Sequence, residues 1–133
     1  MTGPSPFIDK TFPPVTRTTL ALYSGASGDI NAAHIDIDAA RAAGFDDVFA
    51  QGMLVMAYMG SAVTDAVSPD RLRSLSTRFA GITNLGDILT CSGIASDPFE
   101  ENGEMRASID LEIKDQVGGV KLAGRAVYAL ETK

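Results

Sequence analysis

Residues 53–67 constrain the fold more than any other stretch of the chain. Met53, Leu54, Val55, Met56, Ala57, Tyr58, Met59, Ala62 and Val63 place apolar side chains on nearly every face of a helix. Such a helix is expected to be buried all round. Ser68-Pro69-Asp70 stops it, because proline cannot continue a helix and disfavours helical backbone in the residue before it. Beyond this point the apolar period falls from about 3.6 to 2. Met105, Ala107, Ile109, Leu111 and Ile113 occupy one face, and Arg106, Ser108, Asp110, Glu112 and Lys114 the other. That alternation is the mark of a half-buried strand. Strands are expected over 75–82, 88–95, 105–113 and 120–130. Leu85-Gly86-Asp87, Glu101-Asn102-Gly103 and Gln116-Val117-Gly118-Gly119 separate them as turns. Short turns between successive strands imply an antiparallel meander. One long buried helix followed by such a meander is an α+β domain whose sheet wraps the helix.

The first half is less regular. Residues 1–14 carry four of the six prolines and read as an N-terminal arm leading to a first strand over 15–18. Thr19 is placed to cap a short helix over 20–27, and Asp36 or Asp38 a second over 39–43 that Gly44 closes. The 133 residues form one domain, with no repeat or linker. The N-terminus lacks the basic and apolar regions of a signal peptide, and the apolar run from Met53 is too short to span a bilayer.

Net charge excludes another class of partner. The formal charge is −6, and the eleven Lys and Arg are scattered, with only Arg71 and Arg73 close together. Nucleic acid needs a basic surface or a dense basic patch. The one cysteine, Cys91, cannot form an intramolecular disulfide and fits a reducing cytoplasm. It reads as a small buried hydrophobe in a strand.

Chemistry concentrates in Ser27-Gly28-Asp29-Ile30-Asn31-Ala32-Ala33-His34, which holds the only histidine. Gly, Ser, Asp and Asn favour turns, and rigid scaffolds place reactive groups on loops. Asp29 and His34 are a candidate acid and base. Asn31 is a candidate for holding the loop or a water, and Asp36 reads as a helix cap. Gly52, at the start of the apolar helix, offers a backbone N–H at the positive end of a helix dipole. A calcium loop would need Gly where His34 stands and Glu where Ala40 stands, and a zinc site would want more His or Cys. No metal is expected. Gly25-Ala-Ser-Gly28 lacks the third glycine of a dinucleotide fingerprint, and no Gly-x-Ser-x-Gly elbow occurs.

Tyr23-Ser-Gly-Ala-Ser-Gly-Asp-Ile-Asn-Ala-Ala-His34-Ile-Asp36 resembles the signature of MaoC-like (R)-specific enoyl-CoA hydratases and dehydratases. Gln51-Gly-Met-Leu54, Arg78-Phe79 and Gly86-Asp87-Ile88-Leu89 extend the resemblance in the same order, over about residues 15–130. Two positions depart from the family pattern: Ala32 stands where proline is usual, and Gln51 where histidine is usual. The resemblance implies a hot-dog fold that pairs edge to edge into a homodimer or higher oligomer, with pairing to an unlike subunit as the other form. It implies an acyl-CoA or acyl-carrier thioester as substrate, no cofactor, and reversible hydration to the (R)-3-hydroxyacyl thioester. Asp29 and His34 would flank one water, Gly52 would hold the thioester oxygen, and Asn31 and Gln51 would support them. The rival readings are a hot-dog acyl-CoA thioesterase and a binding subunit of a heteromeric dehydratase. The thioesterase would want a carboxylate on the central helix, where only Asp65 is found, near its end.

Overall fold

The computed structural model describes residues 7–131. The expected N-terminal arm is corrected in part. Its residues 1–6 lie outside the described residues, but Phe7–Thr11 is a strand, β1, antiparallel to Thr90–Ala95 and with Ile8 opposite Gly93. Ile8 is buried, which is enough to seat a five-residue edge strand beside the prolines. No strand forms over 15–18. Thr16, rather than Thr19, caps α1, Arg17–Ser27: its backbone is extended and its hydroxyl accepts from Thr19 N–H at 3.2 Å. Val15 is buried and anchors the entry to the helix.

Helix α2 spans Ile37–Ala42 and is capped by Asp36, whose carboxylate accepts from Asp38 N–H. Helix α3 spans Gly52–Ala66. Strands β2 (Leu72–Phe79), β3 (Thr90–Ala95), β4 (Phe99–Glu101), β5 (Glu104–Lys114) and β6 (Val120–Ala129) follow. They form one sheet in the order β1-β3-β5-β6-β2, with β4 paired to β5. Every pairing is antiparallel. The sheet curls over α3, which lies against β1, β2, β3, β5 and β6.

The strand expected over 75–82 begins and ends three residues earlier. Lys121 Nζ donates to Ile82 C=O at 2.7 Å and draws the chain off the sheet after Phe79. Strand β4 was not expected. It is a three-residue return across Asn102-Gly103, too short to show a period.

The central helix is not buried all round within one protomer. Leu54, Val55, Met59, Ala62 and Val63 face the sheet, whereas Met53 is 53% exposed and Ala57 is also exposed. Each buried large apolar side chain contributes roughly 1.5–3 kcal/mol, so the buried stripe suffices to seat the helix. The other stripe is left open. Phe79 and Ile82 add exposed apolar surface on and just beyond β2, the edge strand at one end of the sheet.

Glu104 ties the far end of the sheet. Its carboxylate accepts two hydrogen bonds from the Arg73 guanidinium, both at 2.9 Å, and one from Arg106 Nε at 2.8 Å. These two guanidinium groups, Arg73 foremost, pull its pKa from 4.5 down to about 2. A carboxyl whose folded pKa is depressed stabilises the fold above its unfolded pKa and loses that contribution as pH falls through the folded one. Glu104→Gln is therefore expected to lower the melting temperature at pH 7. The gap to the parent protein should close as pH falls from about 4.5 to about 2. Thermal unfolding across that range measures it, and a gap independent of pH would contradict the assignment.

Candidate active site

Helix α1 ends at Gly28, whose φ of +81° is a left-handed conformation that suits glycine. This turn releases the chain into the polar loop. Ser27 Oγ accepts from Asp29 N–H at 3.1 Å, and Asp29 Oδ1 accepts from Asn31 N–H at 3.3 Å. Asn31 Oδ1 accepts in turn from Ala33 N–H at 3.1 Å and starts a single 3-10 turn, Ala32–His34. The Ser, Asp and Asn side chains thus fold the loop by closing on its own backbone. Ala32 occupies the first position of the 3-10 turn without strain, although proline is usual there in the family pattern.

The turn carries the His34 side chain inward, where it is only 8% exposed. Its Nδ1 lies 2.7 Å from Phe49 C=O, and its ring meets the Phe49 ring edge to face at 4.8 Å. A carbonyl can only accept, so Nδ1 carries the proton of the neutral ring. Nε2 is left with its lone pair. Asp29 is half-buried on the same loop. Asp29 and His34 are joined through the Asn31 turn, with no direct hydrogen bond between them among the described residues.

Phe49 is held from outside the loop. It forms an antiparallel bridge with Asn84, and Ala50 N–H donates to Thr83 C=O at 2.8 Å. The Phe45 ring packs against Phe49 at a tilt of 40°, with centroids 4.4 Å apart. The chain then enters α3 through Gln51, which is its N-cap residue but makes no side-chain cap. Instead the fully buried Gln51 amide donates from Nε2 to Leu20 C=O at 2.9 Å and to Ser24 Oγ at 2.8 Å. Its Oε1 is buried without a partner. Gln51 therefore fastens α1 to the start of α3.

Gly52 is the first residue of α3, and the leading N–H groups of a helix have no partner within it. A Cβ at Gly52 would lie 3.0 Å from the Phe79 ring, so this close approach of strand to helix favours glycine. Asp65 sits 13 residues further on, about 20 Å along the helix at 1.5 Å per residue, and pairs with Lys10. Cys91 is buried, and burial pushes its thiol up to about 11, far from a nucleophile's range.

The loop and His34 are tied to the segment that enters α3 through the Phe49 carbonyl, three residues before Gly52. Three contributors were not singled out as site residues. Phe49 acts through its backbone carbonyl, and any residue type supplies one. Ser24 accepts a hydrogen bond from Gln51 and Phe79 packs on Gly52, each across a sequence separation of 27 residues.

A family model, MaoC like domain, matches residues 8–116. No curated protein matches the chain. Among solved structures the chain is similar to the (R)-hydratase from A. caviae involved in PHA biosynthesis, at 18% identity, TM-score 0.81 and 98% coverage of both chains. It is similar to the R-hydratase PhaJ1 from Pseudomonas aeruginosa at 24% identity and TM-score 0.83, covering 98% of this chain and 84% of that one. It is also similar to a chain of the ChsH1-ChsH2 complex from Mycobacterium tuberculosis, at 19% identity, TM-score 0.80, and 98% and 100% coverage. These likenesses establish the hot-dog fold.

Removing the Gln51 amide would leave the buried Ser24 Oγ without its donor and Leu20 C=O with only its helical partner. A buried polar group that loses its partner costs roughly 1–3 kcal/mol, and the lost volume adds to that. Gln51→Ala is expected to lower the urea midpoint by a corresponding amount, while Ser24→Ala costs less because Leu20 C=O keeps its bond. Equal stability of Gln51→Ala and the parent protein would contradict the clamp.

Proposed function

The chain belongs to the MaoC like domain family, and on that premise we propose that it catalyses the reversible hydration of trans-2-enoyl thioesters to (R)-3-hydroxyacyl thioesters. The acyl group would be carried on CoA or on an acyl carrier. The observation that carries this reading is the hydrogen bond from His34 Nδ1 to Phe49 C=O. With Nδ1–H donating to that carbonyl, the neutral ring would have its lone pair on Nε2, free to act on a water shared with Asp29.

In the proposed reaction a water sits between Asp29 and His34 on one face of the double bond. His34 Nε2 takes a proton from it as the oxygen attacks Cβ. Asp29 delivers a proton to Cα, and transfer from His34 to Asp29 resets the pair. The backbone N–H of Gly52, at the positive end of α3, holds the thioester oxygen as it gains enolate character. Asn31 keeps the loop closed. The thioester itself acidifies Cα, so no step calls for a cofactor. Dehydration runs through the same groups in reverse, and the enzyme would be a hydro-lyase.

The active form we propose is a dimer or higher oligomer, of like or unlike subunits. The edge strand β2 and the apolar surface at Met53, Phe79 and Ile82 would be covered in it. We place it in the cytoplasm because its one cysteine stays a thiol. No helix among the described residues is long and apolar enough to cross a membrane. The thioesterase reading is disfavoured because the only carboxylate on α3, Asp65, is tied to Lys10 and lies far from Gly52.

Addition of crotonyl-CoA to the purified protein should give loss of the enoyl absorbance and a purely (R) product on chiral analysis. Asp29→Asn and His34→Gln should each lower kcat on the order of 10²–10⁴-fold. The double variant should lose little more, because the two groups act as a unit. Release of free CoA without hydration would support the thioesterase. Near-parental turnover in either folded single variant would remove that residue from the mechanism.

A further inference from the structure

The loop after β2, residues 80–89, holds a buried carboxylate that no step of the proposed reaction uses. Asp87 is 7% exposed. Its Oδ2 accepts from Asn84 N–H at 2.8 Å, and its Oδ1 accepts from Gln116 Nε2 at 3.3 Å. Lys121 Nζ lies 3.9 Å from Oδ2 while donating to Ile82 C=O at 2.7 Å. The Asp87 backbone closes the loop too, with its N–H on Asn84 C=O at 3.2 Å and its C=O accepting from Val15 N–H at 3.0 Å. A single buried carboxylate thus folds residues 82–87 into a fixed turn anchored to the β5–β6 end of the sheet.

The other limb of that turn is what holds Phe49. Thr83 C=O accepts from Ala50 N–H at 2.8 Å, and Asn84 bridges Phe49. The pairing uses Ala50 N–H and Thr83 C=O and leaves the Phe49 carbonyl for His34 Nδ1. The links run from the Asp87 carboxylate to Asn84 N–H, from the adjoining Thr83 C=O to Ala50 N–H, and from the adjoining Phe49 carbonyl to the His34 ring.

We infer that Asp87 is a positioning residue for His34: by folding residues 82–87 it keeps the Phe49 carbonyl on Nδ1 and so keeps Nε2 unprotonated in the neutral ring. The inference rests on the reading of His34 as the base for its effect on turnover. Its effect on the ring itself does not depend on that reading.

His34 is the only histidine, so the ring 15N resonances of the labelled protein report it without assignment. The parent protein should show a single Nδ1–H tautomer. Asp87→Ala should give a mixture with Nε2–H. It should also lower kcat for crotonyl-CoA on the order of 10²-fold, the scale of a misplaced group, with little change in KM. Asp87→Asn keeps one oxygen for Asn84 N–H and should fall between the two in both readouts. Asp110→Ala removes an exposed carboxylate that pairs with Arg125 and should change neither. If Asp87→Ala does not fold, Asp87→Asn decides, with a shifted Nδ1 resonance and reduced kcat expected. Unchanged ring resonances and kcat in a folded Asp87 variant would overturn the inference, as would an Nε2–H tautomer in the parent protein. If the parent hydrates no enoyl thioester, the functional reading fails, and the ring resonances still decide the role of Asp87.

Discussion

A short backbone pairing, Phe49 and Ala50 against Thr83 and Asn84, is the constraint on which the rest of the site depends. It fixes the direction in which the chain enters α3. It aims the Phe49 carbonyl at His34, and it delivers the Gln51 side chain to the carbonyl of Leu20 and the hydroxyl of Ser24. Each hydrogen bond contributes only about 1 kcal/mol net, but leaving its buried partner unmatched costs more. The pairing is therefore specific rather than strong. It joins three elements of one core: the helix before the loop, the central helix, and the turn between β2 and β3.

The chain leaves an apolar stripe of α3 uncovered while the opposite stripe packs on the sheet. Met53 and Phe79, 53% and 52% exposed, flank Gly52, where the unpaired N–H groups of the helix start are found. Apolar surface around polar backbone is a poor arrangement for a free surface and a good one for a ligand or a partner. The fold and the proposed chemistry meet at this point: the residues that would hold a thioester oxygen are those left open by the way the sheet wraps the helix.

Much of this was legible in the residues. The run from Met53 marked the central helix because apolar side chains on nearly all faces leave no soluble alternative. Met105 to Ile113 marked β5 because its alternation is long enough to be unambiguous. The loop from Ser27 to His34 stood out because turn-forming residues surround the sole histidine. Other features were not legible, for physical reasons. Strand β1 sits among prolines and depends on Ile8 pairing across to β3, a tertiary contact. Thr16 caps α1 in place of Thr19 because Val15 is buried just before it. The end of β2 is set by Lys121, 39 residues beyond Ile82. The Phe49 carbonyl has no side-chain signature at all. The Gln51 amide turns into the interior against α1, a contact its neighbours in sequence do not signal.

Asp29 and His34 belong to one closed loop, and the central claim is that they act together on one face of the substrate. The geometry of addition tests this directly. Hydration of crotonyl-CoA in D₂O places one deuteron at Cα and oxygen at Cβ, and proton NMR of the 3-hydroxybutyryl product reports their relation. If one water is held between the two side chains, the deuteron and the oxygen arrive from the same face. The account predicts syn addition with (R) configuration at Cβ. Anti addition, or a racemic deuterium label at Cα formed during the addition, would contradict it.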